Sequence, residues 1–452
     1  MSKPLFLLLA AVGLAHAADA QGPQYRAQPG PFALTDCRIE TVALGTMERG
    51  TVVIGADGRI AAVGPDAAVP AGAAVVPCNG GTVYPGLVDS GTRIGLQEIG
   101  STQVTVDLNE VGEVHPQMRA LTAINPSSVH IPVTRVSGVT TALTYPRGGL
   151  MPGTAALVNL HGYTPDQMAA GFEGVVVEFP RSGRRGSFDR REQAAIDKAF
   201  KDALEKLDEA WNGAAVYARL DSARSASGAD TPLPYQPEFA ALVPVLRGEM
   251  LLLVEANAAT DIVKAMEWIA SARARSGGRL RAVLTGVAEG WRVADQIAAA
   301  DLACLVGPVM ALPTRASDRY TRAYENVALL AQAGVLVAIR SEESENVRNL
   351  PFHAGFAAAY GERLGFGPAE ALAAVTLNPA RIFGVADRRG SIEVGKEATL
   401  FIADGDPFEP RTQVTALFID GLRVPLVSRQ SELYEEYLDR SPGLERPIQT
   451  MQ

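Results

Sequence analysis

The feature that most constrains the fold is an alternation of short β-rich runs with helical stretches between Val88 and Val385. Residues 191–211 carry apolar side chains at helical spacing, and residues 260–275 and 291–301 follow the same pattern. This many β/α repeats favour a TIM-type (β/α)8 barrel over an open sheet. The β-rich runs span residues 138–146, 174–180, 213–220, 249–256, 281–288, 302–309 and 334–340.

Strand-like segments precede and follow this region. Asp57-Gly58 lies between two apolar runs and predicts a β-hairpin. A β segment on each side of a barrel can pair into one small sandwich, so we predict an α/β protein. The predicted parts are a composite β-sandwich (24–86 plus 387–428), the barrel (87–386) and a C-terminal tail (429–452) that contains a surface helix.

The N-terminus has the pattern of a secretory signal peptide. Lys3 precedes the apolar run Leu5–Leu14, and alanines then recur at A-x-A spacing. The run is shorter than the roughly 20 apolar residues that a membrane-spanning helix needs. We therefore predict that residues 1–20 are removed near Ala17 or Ala20, and that the protein is secreted, to the periplasm, without a membrane span.

Charge argues against nucleic acid as a partner. The chain has 41 Lys and Arg against 50 Asp and Glu, a formal net charge of −9. Its most basic stretch is the Arg-rich loop 181–191. Such a loop can bind an anion or can be a solvated surface loop, and its composition favours a solvated surface loop.

The chain has only 3 cysteines. Cys37 and Cys78 lie in strand-like segments of the N-terminal region, where an exported protein can form a disulfide. If their strands are neighbours, the two Cα atoms should lie within about 7 Å. Three separate buried thiols, including Cys304 in an apolar segment, are the alternative.

Three segments resemble the amidohydrolase superfamily, especially its imidazolonepropionase-like group. GTVYPGLVDSGTR (81–93) is similar to the opening of that family's barrel, and GADGRIAAVG (55–64) resembles its N-terminal hairpin. Residues 370–402, which contain NPAR and GSIEVGK, resemble the segment that closes the barrel and re-enters the sandwich. The resemblance implies the barrel-plus-sandwich fold, a small-molecule ligand or substrate, and hydrolysis of C–N bonds with bound zinc.

The ligands that the resemblance implies are missing from the sequence. Gly91 and Arg93 stand where the family has the two histidines of HxH, and Arg340 to Glu342 stand where it has an aspartate. Glu255 and Glu289 occupy the segments of the other two histidines. Imidazole is the usual zinc ligand, and a guanidinium opposes a cation, so we expect no metal and no other cofactor.

Acidic residues remain at the predicted strand ends, where barrel sites are built. These acids are Glu98, Glu255, Glu289 and Glu342, and the candidate site residues are Arg93, Glu255, Glu289 and Glu342. The acids can pair with Arg93, Arg340 and Arg292 in a network that replaces the metals, act as general acid and base, or hold a hard cation. The network needs no additional ligand and is favoured. It predicts that Arg93 lies on the barrel axis in a salt bridge with one of the acids.

Two functions follow. The first is a secreted amidohydrolase-type enzyme that cleaves a C–N bond of a small amide or cyclic amide. The second is a non-catalytic periplasmic binding or scaffold protein on the same fold. The missing ligands favour the second, whereas the family resemblance favours the first. The sequence determines neither the substrate nor the oligomeric state.

Overall fold

The computed structural model describes residues 26–184, 186, 189–227 and 233–440. The predicted signal peptide lies outside these residues. The described strands are β1 Phe32–Glu40, β2 Thr46–Ile54, β3 Ile60–Gly64, β4 Ala74–Pro77, β5 Thr82–Pro85, β6 Leu87–Thr92, β7 Val139–Thr144, β8 Gly153–Asn159, β9 Ala169–Glu178, β10 Leu251–Ala256, β11 Ala282–Gly286, β12 Cys304–Val306, β13 Val337–Ile339, β14 Leu400–Ala403, β15 Val414–Ile419 and β16 Leu422–Val424.

The described helices lie mainly between the barrel strands. They are α1 Ala120–Ala123, α2 His130–Arg135, α3 Pro165–Met168, α4 Gln193–Ser227, α5 Pro237–Leu246, α6 Ala259–Arg275, α7 Ala294–Ala299, α8 Arg322–Gln332, α9 Leu350–Gly361, α10 Pro368–Ala374, α11 Leu377–Ile382 and α12 Arg429–Arg440.

The two ends of the chain share one sheet, as predicted for the sandwich. Its order is β16-β15-β14-β5-β1-β2-β3, with β4 also paired to β1. The N- and C-terminal segments meet where β5 and β14 run antiparallel, with Tyr84 opposite Phe401. Phe32 of β1 and Phe418 of β15 have ring centroids 5.3 Å apart. Because these strands are three places apart in the sheet, the contact requires the sheet to curl over its own apolar core.

The predicted hairpin and disulfide both lie in this sheet. β2 and β3 run antiparallel on either side of Asp57-Gly58, and Gly58 has a φ of +80°. β1 and β4 run parallel, so Cys37 and Cys78 approach from neighbouring strands. They form a disulfide with Cα atoms 5.1 Å apart, which confirms the predicted proximity. Cys304 is a buried free thiol.

The second sheet is a nearly closed eight-stranded barrel that follows chain order from β6 to β13. Its last strand returns to its first, because Ser90 Oγ donates to the Ile339 carbonyl at 2.7 Å. Neighbouring strands are parallel except at β8, which runs antiparallel to both β7 and β9. This architecture confirms the predicted α/β fold and adds one reversed strand. The seven parallel strands direct their carboxyl ends to one mouth.

Residues 213–220 form helix, although their β-rich composition predicted a strand. They continue α4, which runs from Gln193 to Ser227 and buries Leu207, Trp211 and Ala214 along one face. A short apolar run is compatible with either state. Gly213 alone costs a helix only about 1 kcal/mol, so the helix continues through the segment.

Among the described helices, none combines the length and apolarity that crossing a bilayer requires. The tail begins with α12, the surface helix that the sequence predicted.

The disulfide generates a stability prediction. Replacing both Cys37 and Cys78 by Ala should lower the free energy of unfolding of the oxidised protein by about 2–4 kcal/mol, because the unfolded chain loses a cross-link. Denaturant unfolding of the oxidised and the reduced wild-type protein measures this. The double variant should unfold alike with and without reductant, and equal stability of the oxidised and reduced wild type would contradict the prediction.

Candidate functional site

A buried arginine lies at the centre of the barrel mouth. Arg340 directly follows β13 and is 0% exposed. Its Nη1 lies 2.8 Å from Thr285 Oγ1 and 3.4 Å from Glu255 Oε2, and its Nη2 lies 3.0 Å from Glu342 Oε2. The Tyr145 hydroxyl lies 3.2 Å from the same Nη1. One guanidinium therefore connects the carboxyl ends of four barrel strands.

Two glycines leave the space that this side chain fills. A Cβ on Gly91 would lie 2.9 Å from Arg340 Cδ, and a Cβ on Gly286 would lie 3.2 Å from Arg340 Nη2. Protein interiors are close-packed, so a larger residue at position 91 would press on Arg340, and one at position 286 would press first on Asn257 Oδ1, 2.4 Å from its Cβ, and then on Arg340. Position 91 has glycine in place of histidine because the Arg340 side chain fills the space that a larger residue would need.

Arg147, in the loop after β7, is the second cation of the cluster. It lies 2.5 Å from Glu342, 3.6 Å from Glu255 and 3.9 Å from Glu178, measured between guanidinium nitrogens and carboxylate oxygens. Its side chain is 29% exposed, so it faces the open side of the mouth. We call Arg147, Glu178, Glu255, Arg340 and Glu342 the mouth cluster.

Glu342 lies between the two arginines. Burial raises the pKa of its carboxyl, but the positive charge of Arg340 and the hydrogen bond from Arg147 outweigh burial, and the pKa falls below its ordinary value. The residue has a φ of +61°, a conformation that is uncommon for a residue other than glycine. Glu342 is therefore held as a carboxylate whose two oxygens are bound by two guanidinium groups.

Glu178, at the end of β9, is the acid that the sequence analysis missed. It accepts a hydrogen bond from the Gly148 backbone N–H at 2.8 Å. Burial raises its pKa above the ordinary value for a glutamate. The signal was present in the sequence, because Glu178 ends the apolar run GVVVE in the way that Glu255 ends LLLVE.

Glu289 belongs to a neighbouring cluster. Arg315 holds both of its oxygens at 2.6 Å, and the Ala259 backbone N–H at the start of α6 donates to it at 2.9 Å. Burial raises its pKa, but the Arg315 hydrogen bonds dominate and the pKa lies below the ordinary value. Arg292 pairs with Asp318 and lies 3.9 Å from Glu289. The predicted pairing of acids with Arg340 and Arg292 is therefore confirmed, with Arg147 and Arg315 as additional cations.

The predicted salt bridge of Arg93 is wrong. Its Nη2 donates to the Glu342 backbone carbonyl at 2.6 Å, and within the described ranges no carboxylate oxygen lies within 4.0 Å of its guanidinium. Arg340 takes the central position instead, because its side chain extends across the mouth to Glu255 and Thr285. Glu98 also lies outside the mouth cluster: its side chain contacts Asn125 and His130.

A cavity of about 360 Å³ opens above the mouth cluster. Arg147, Glu178 and Glu255 form its inner wall, and Glu289 and Arg315 line another side. The start of the Arg-rich loop lines a further side of the cavity. Ser182 anchors this segment, because its backbone N–H and hydroxyl both donate to Asp261 near the start of α6. A larger cavity of about 550 Å³ lies beside α9 and is lined mainly by apolar and aromatic residues.

The donor set of the mouth does not fit zinc. Over the residues that the structure describes, no three His, Cys, Asp or Glu side chains are placed to hold a metal ion. Glu255 and Glu342 are directed at Arg340, whose permanent charge opposes a second cation at the same point. His353 is buried elsewhere, where its Nδ1 accepts from the Val309 backbone N–H and burial lowers its pKa to about 4.

Asp89 lies fully buried beneath the mouth cluster. Its Oδ1 accepts from the backbone N–H groups of Gly91 and Ser341, at 3.0 and 3.1 Å. Its Oδ2 is buried without a hydrogen-bond partner within the described part of the chain. Burial raises the pKa of this carboxyl to about 6, although its hydrogen bonds and Arg340 act in the opposite direction.

Arg340 should contribute most to the stability of the mouth. Arg340→Met should lower the free energy of unfolding by about 3–5 kcal/mol, because it removes the buried cation that pairs with Glu255 and Glu342. Arg93→Ala should cost less, about 1.5–3 kcal/mol, since it removes one hydrogen bond from a charged donor to a backbone carbonyl. Denaturant unfolding at pH 7 measures both. A larger loss for Arg93→Ala would contradict the assignment of Arg340 as the central cation.

Asp89 predicts a pH effect on stability. Its carboxyl binds a proton more tightly in the folded protein, with a pKa of about 6 against 3.8, so this residue makes the fold less stable as the pH rises through that interval. Asp89→Asn removes this titration. The stability of the variant relative to wild type should therefore increase between pH 4 and pH 7, as measured by denaturant unfolding across that range. A constant difference would show that Asp89 does not titrate there.

Comparison with known proteins agrees with this architecture. Residues 273–424 match the Amidohydrolase family. An amidohydrolase from Thermotoga maritima MSB8 has a TM-score of 0.74 at 22% identity, covering 88% of this chain and 100% of that chain. Molinate hydrolase has a TM-score of 0.53 at 17% identity, covering 95% and 100%.

An adenosine deaminase from Xanthomonas campestris with bound zinc has a TM-score of 0.50 at 17% identity, covering 92% and 99%. No curated protein matches the chain. At these identities the solved structures establish the shared fold. The matched segment runs from the end of α6 through the last three barrel strands and back into the sandwich. Together with the shared architecture, this match shows that the chain is similar to amidohydrolases in its fold.

Proposed function

We propose that this protein is a small-molecule hydrolase that cleaves a C–N bond of an amide or cyclic amide without the zinc site of its superfamily. The match of residues 273–424 to the Amidohydrolase family supports a hydrolase-like function. One observation carries the rest: Arg147, Glu178 and Glu255 line the cavity at the carboxyl ends of the barrel strands. That end of the barrel is where enzymes of this fold hold their reacting groups.

The charges of the inner wall suit amide hydrolysis. Arg147 reaches the cavity and can donate hydrogen bonds to the oxyanion that forms when water attacks a carbonyl carbon. Burial raises the pKa of Glu178 above the ordinary value for a glutamate, which favours a group that takes up a proton and returns it. In the proposed reaction, Glu178 accepts a proton from the attacking water as the C–O bond forms. It then returns the proton to the nitrogen as the C–N bond breaks, which yields a carboxylic acid and an amine.

Arg340 has a supporting role in this proposal. It is fully buried beneath Arg147 and fixes Glu255 and Glu342 from below. These fixed carboxylates in turn hold the Arg147 guanidinium in place. An electrophilic group that is positioned before the reaction needs no reorganisation during it.

We further propose that the protein acts outside the cytoplasm, in the periplasm. The apolar N-terminal segment supports secretion, and the Cys37–Cys78 disulfide is typical of an oxidising compartment.

The alternative is a non-catalytic binding protein on the same fold. The observation that favours it is the pairing of the strand-end acids: Glu255, Glu289 and Glu342 each contact at least one arginine. Carboxylates held in this way are poor proton acceptors. Glu178 separates the two proposals. Its nearest guanidinium nitrogen, on Arg147, is 3.9 Å away, so Glu178 is less tightly paired and can act as the proton acceptor that hydrolysis needs.

A screen of small amides, cyclic amides and dipeptide-like compounds tests the proposal by measuring released amine. The protein should hydrolyse a member of the screen at the same rate before and after treatment with a metal chelator. Glu178→Gln should lower kcat by about 100-fold or more, the usual contribution of a general acid–base group. The pKa that the acid limb of the pH–rate profile gives should lie above the ordinary pKa of a glutamate.

Glu173→Gln on the same strand is the matched control, because Glu173 pairs with Arg119 outside the mouth cluster. It should keep wild-type kcat. Activity that is lost with chelator and restored by zinc would contradict metal independence, and full activity of Glu178→Gln would contradict its role. Binding of a compound without turnover would favour the non-catalytic alternative.

A further inference from the structure

The rim of the mouth cavity carries positive charge that the proposed hydrolysis does not use. Arg181 and Arg184 line the cavity at its outer side, and both are exposed. Arg184 donates to the Asp189 backbone carbonyl at 3.0 Å. Within the described part of the chain, no carboxylate oxygen lies within 4.0 Å of either guanidinium, whereas Arg147 and Arg315 have close carboxylate partners.

The acids that line the cavity already have partners. Arg315 binds Glu289, and Ser182 binds Asp261. Arg340 and Arg147 both contact Glu255. The cavity thus separates into an inner wall, where acids and arginines are paired, and an outer rim with two arginines that have no paired acid among the described residues.

The rim is held in a defined place. Ser182 stands between Arg181 and Gly183, and its backbone N–H lies 2.9 Å from Asp261 Oδ1. Asp261 is itself buried near the start of α6, at 5% exposed. This anchor ties the first residues of the Arg-rich loop to the barrel, so Arg181 stays beside the cavity instead of extending freely into solvent.

We propose that the rim of the mouth cavity binds the carboxylate of a compact ligand whose amide group reaches Arg147 and Glu178. Arginine matches the planar carboxylate group geometrically and forms charge-assisted hydrogen bonds with it. At about 360 Å³, the cavity is at the small end of ligand sites and suits a compact molecule. The substrate class is then an amide or cyclic amide that bears a carboxylate, such as an N-acyl amino acid or a lactam carboxylate.

This inference rests on the proposed function for the amide end of the ligand, and it deepens that function by naming the substrate class. Its test measures binding, not turnover. Binding of the carboxylate without hydrolysis of the amide would support the inference and contradict the proposed function. Hydrolysis without a preference for carboxylates would support the proposed function and contradict the inference.

The experiment uses matched pairs of probes in isothermal titration calorimetry. Each pair is an N-acetyl amino acid or a lactam carboxylate and its neutral carboxamide, and inorganic phosphate is titrated separately. At least one carboxylate should bind about tenfold more tightly than its carboxamide, as expected for charge-assisted bonds at an exposed rim. Its affinity should fall with added salt.

The double substitution Arg181→Ala and Arg184→Ala should abolish this preference and leave carboxamide binding unchanged. Both side chains are exposed, so the variant should keep the wild-type unfolding midpoint. Arg279→Ala, an exposed arginine on the loop before β11 at the opposite end of the barrel, should keep the preference.

Three results would overturn the inference: equal binding of the two members of every pair, a preference that survives the double substitution, or binding of no carboxylate. Phosphate that binds as tightly as the best carboxylate would also overturn it, because the rim would then be a general anion site.

Discussion

The buried charge of Arg340 is the constraint on which the barrel mouth depends. An arginine cannot be deprotonated in a protein, so its burial requires nearby acceptors and carboxylates. Thr285, Glu255 and Glu342 meet this requirement from three different strands or strand ends. The same contacts connect the carboxyl ends of β10, β11 and β13. Arg340 therefore links the closure of the barrel to the chemistry of its mouth.

The charge of Arg340 also orders its surroundings. Glycine at positions 91 and 286 leaves space for the side chain. Glu342 stays ionised because Arg340 and Arg147 bind it together. Asp89, one layer below, has one carboxyl oxygen without a partner in the described structure and a raised pKa. The mouth therefore combines fixed carboxylates with carboxyls that can take up a proton, and this difference in environment separates structural acids from candidate catalytic ones.

Much of the fold follows from the sequence because it depends on repeated local patterns. The face of Ile196, Leu207 and Trp211 predicted α4, and Asp57-Gly58 predicted the hairpin between β2 and β3. Two features were not predictable in this way. The strand-like run 213–220 continues a helix, and β8 is antiparallel, because both depend on neighbouring elements that local composition does not describe.

The sequence by itself determined which residue types are available at the strand ends: acids and arginines, with glycine at position 91 in place of histidine. It could not decide which arginine takes the centre. Arg93 and Arg340 both follow barrel strands, but only Arg340 points across the mouth, while Arg93 turns to a backbone carbonyl. Tertiary structure also brought Glu178, Arg147 and the Arg-rich loop to one cavity. These segments are distant in the chain, and their convergence depends on barrel closure, which no local pattern encodes.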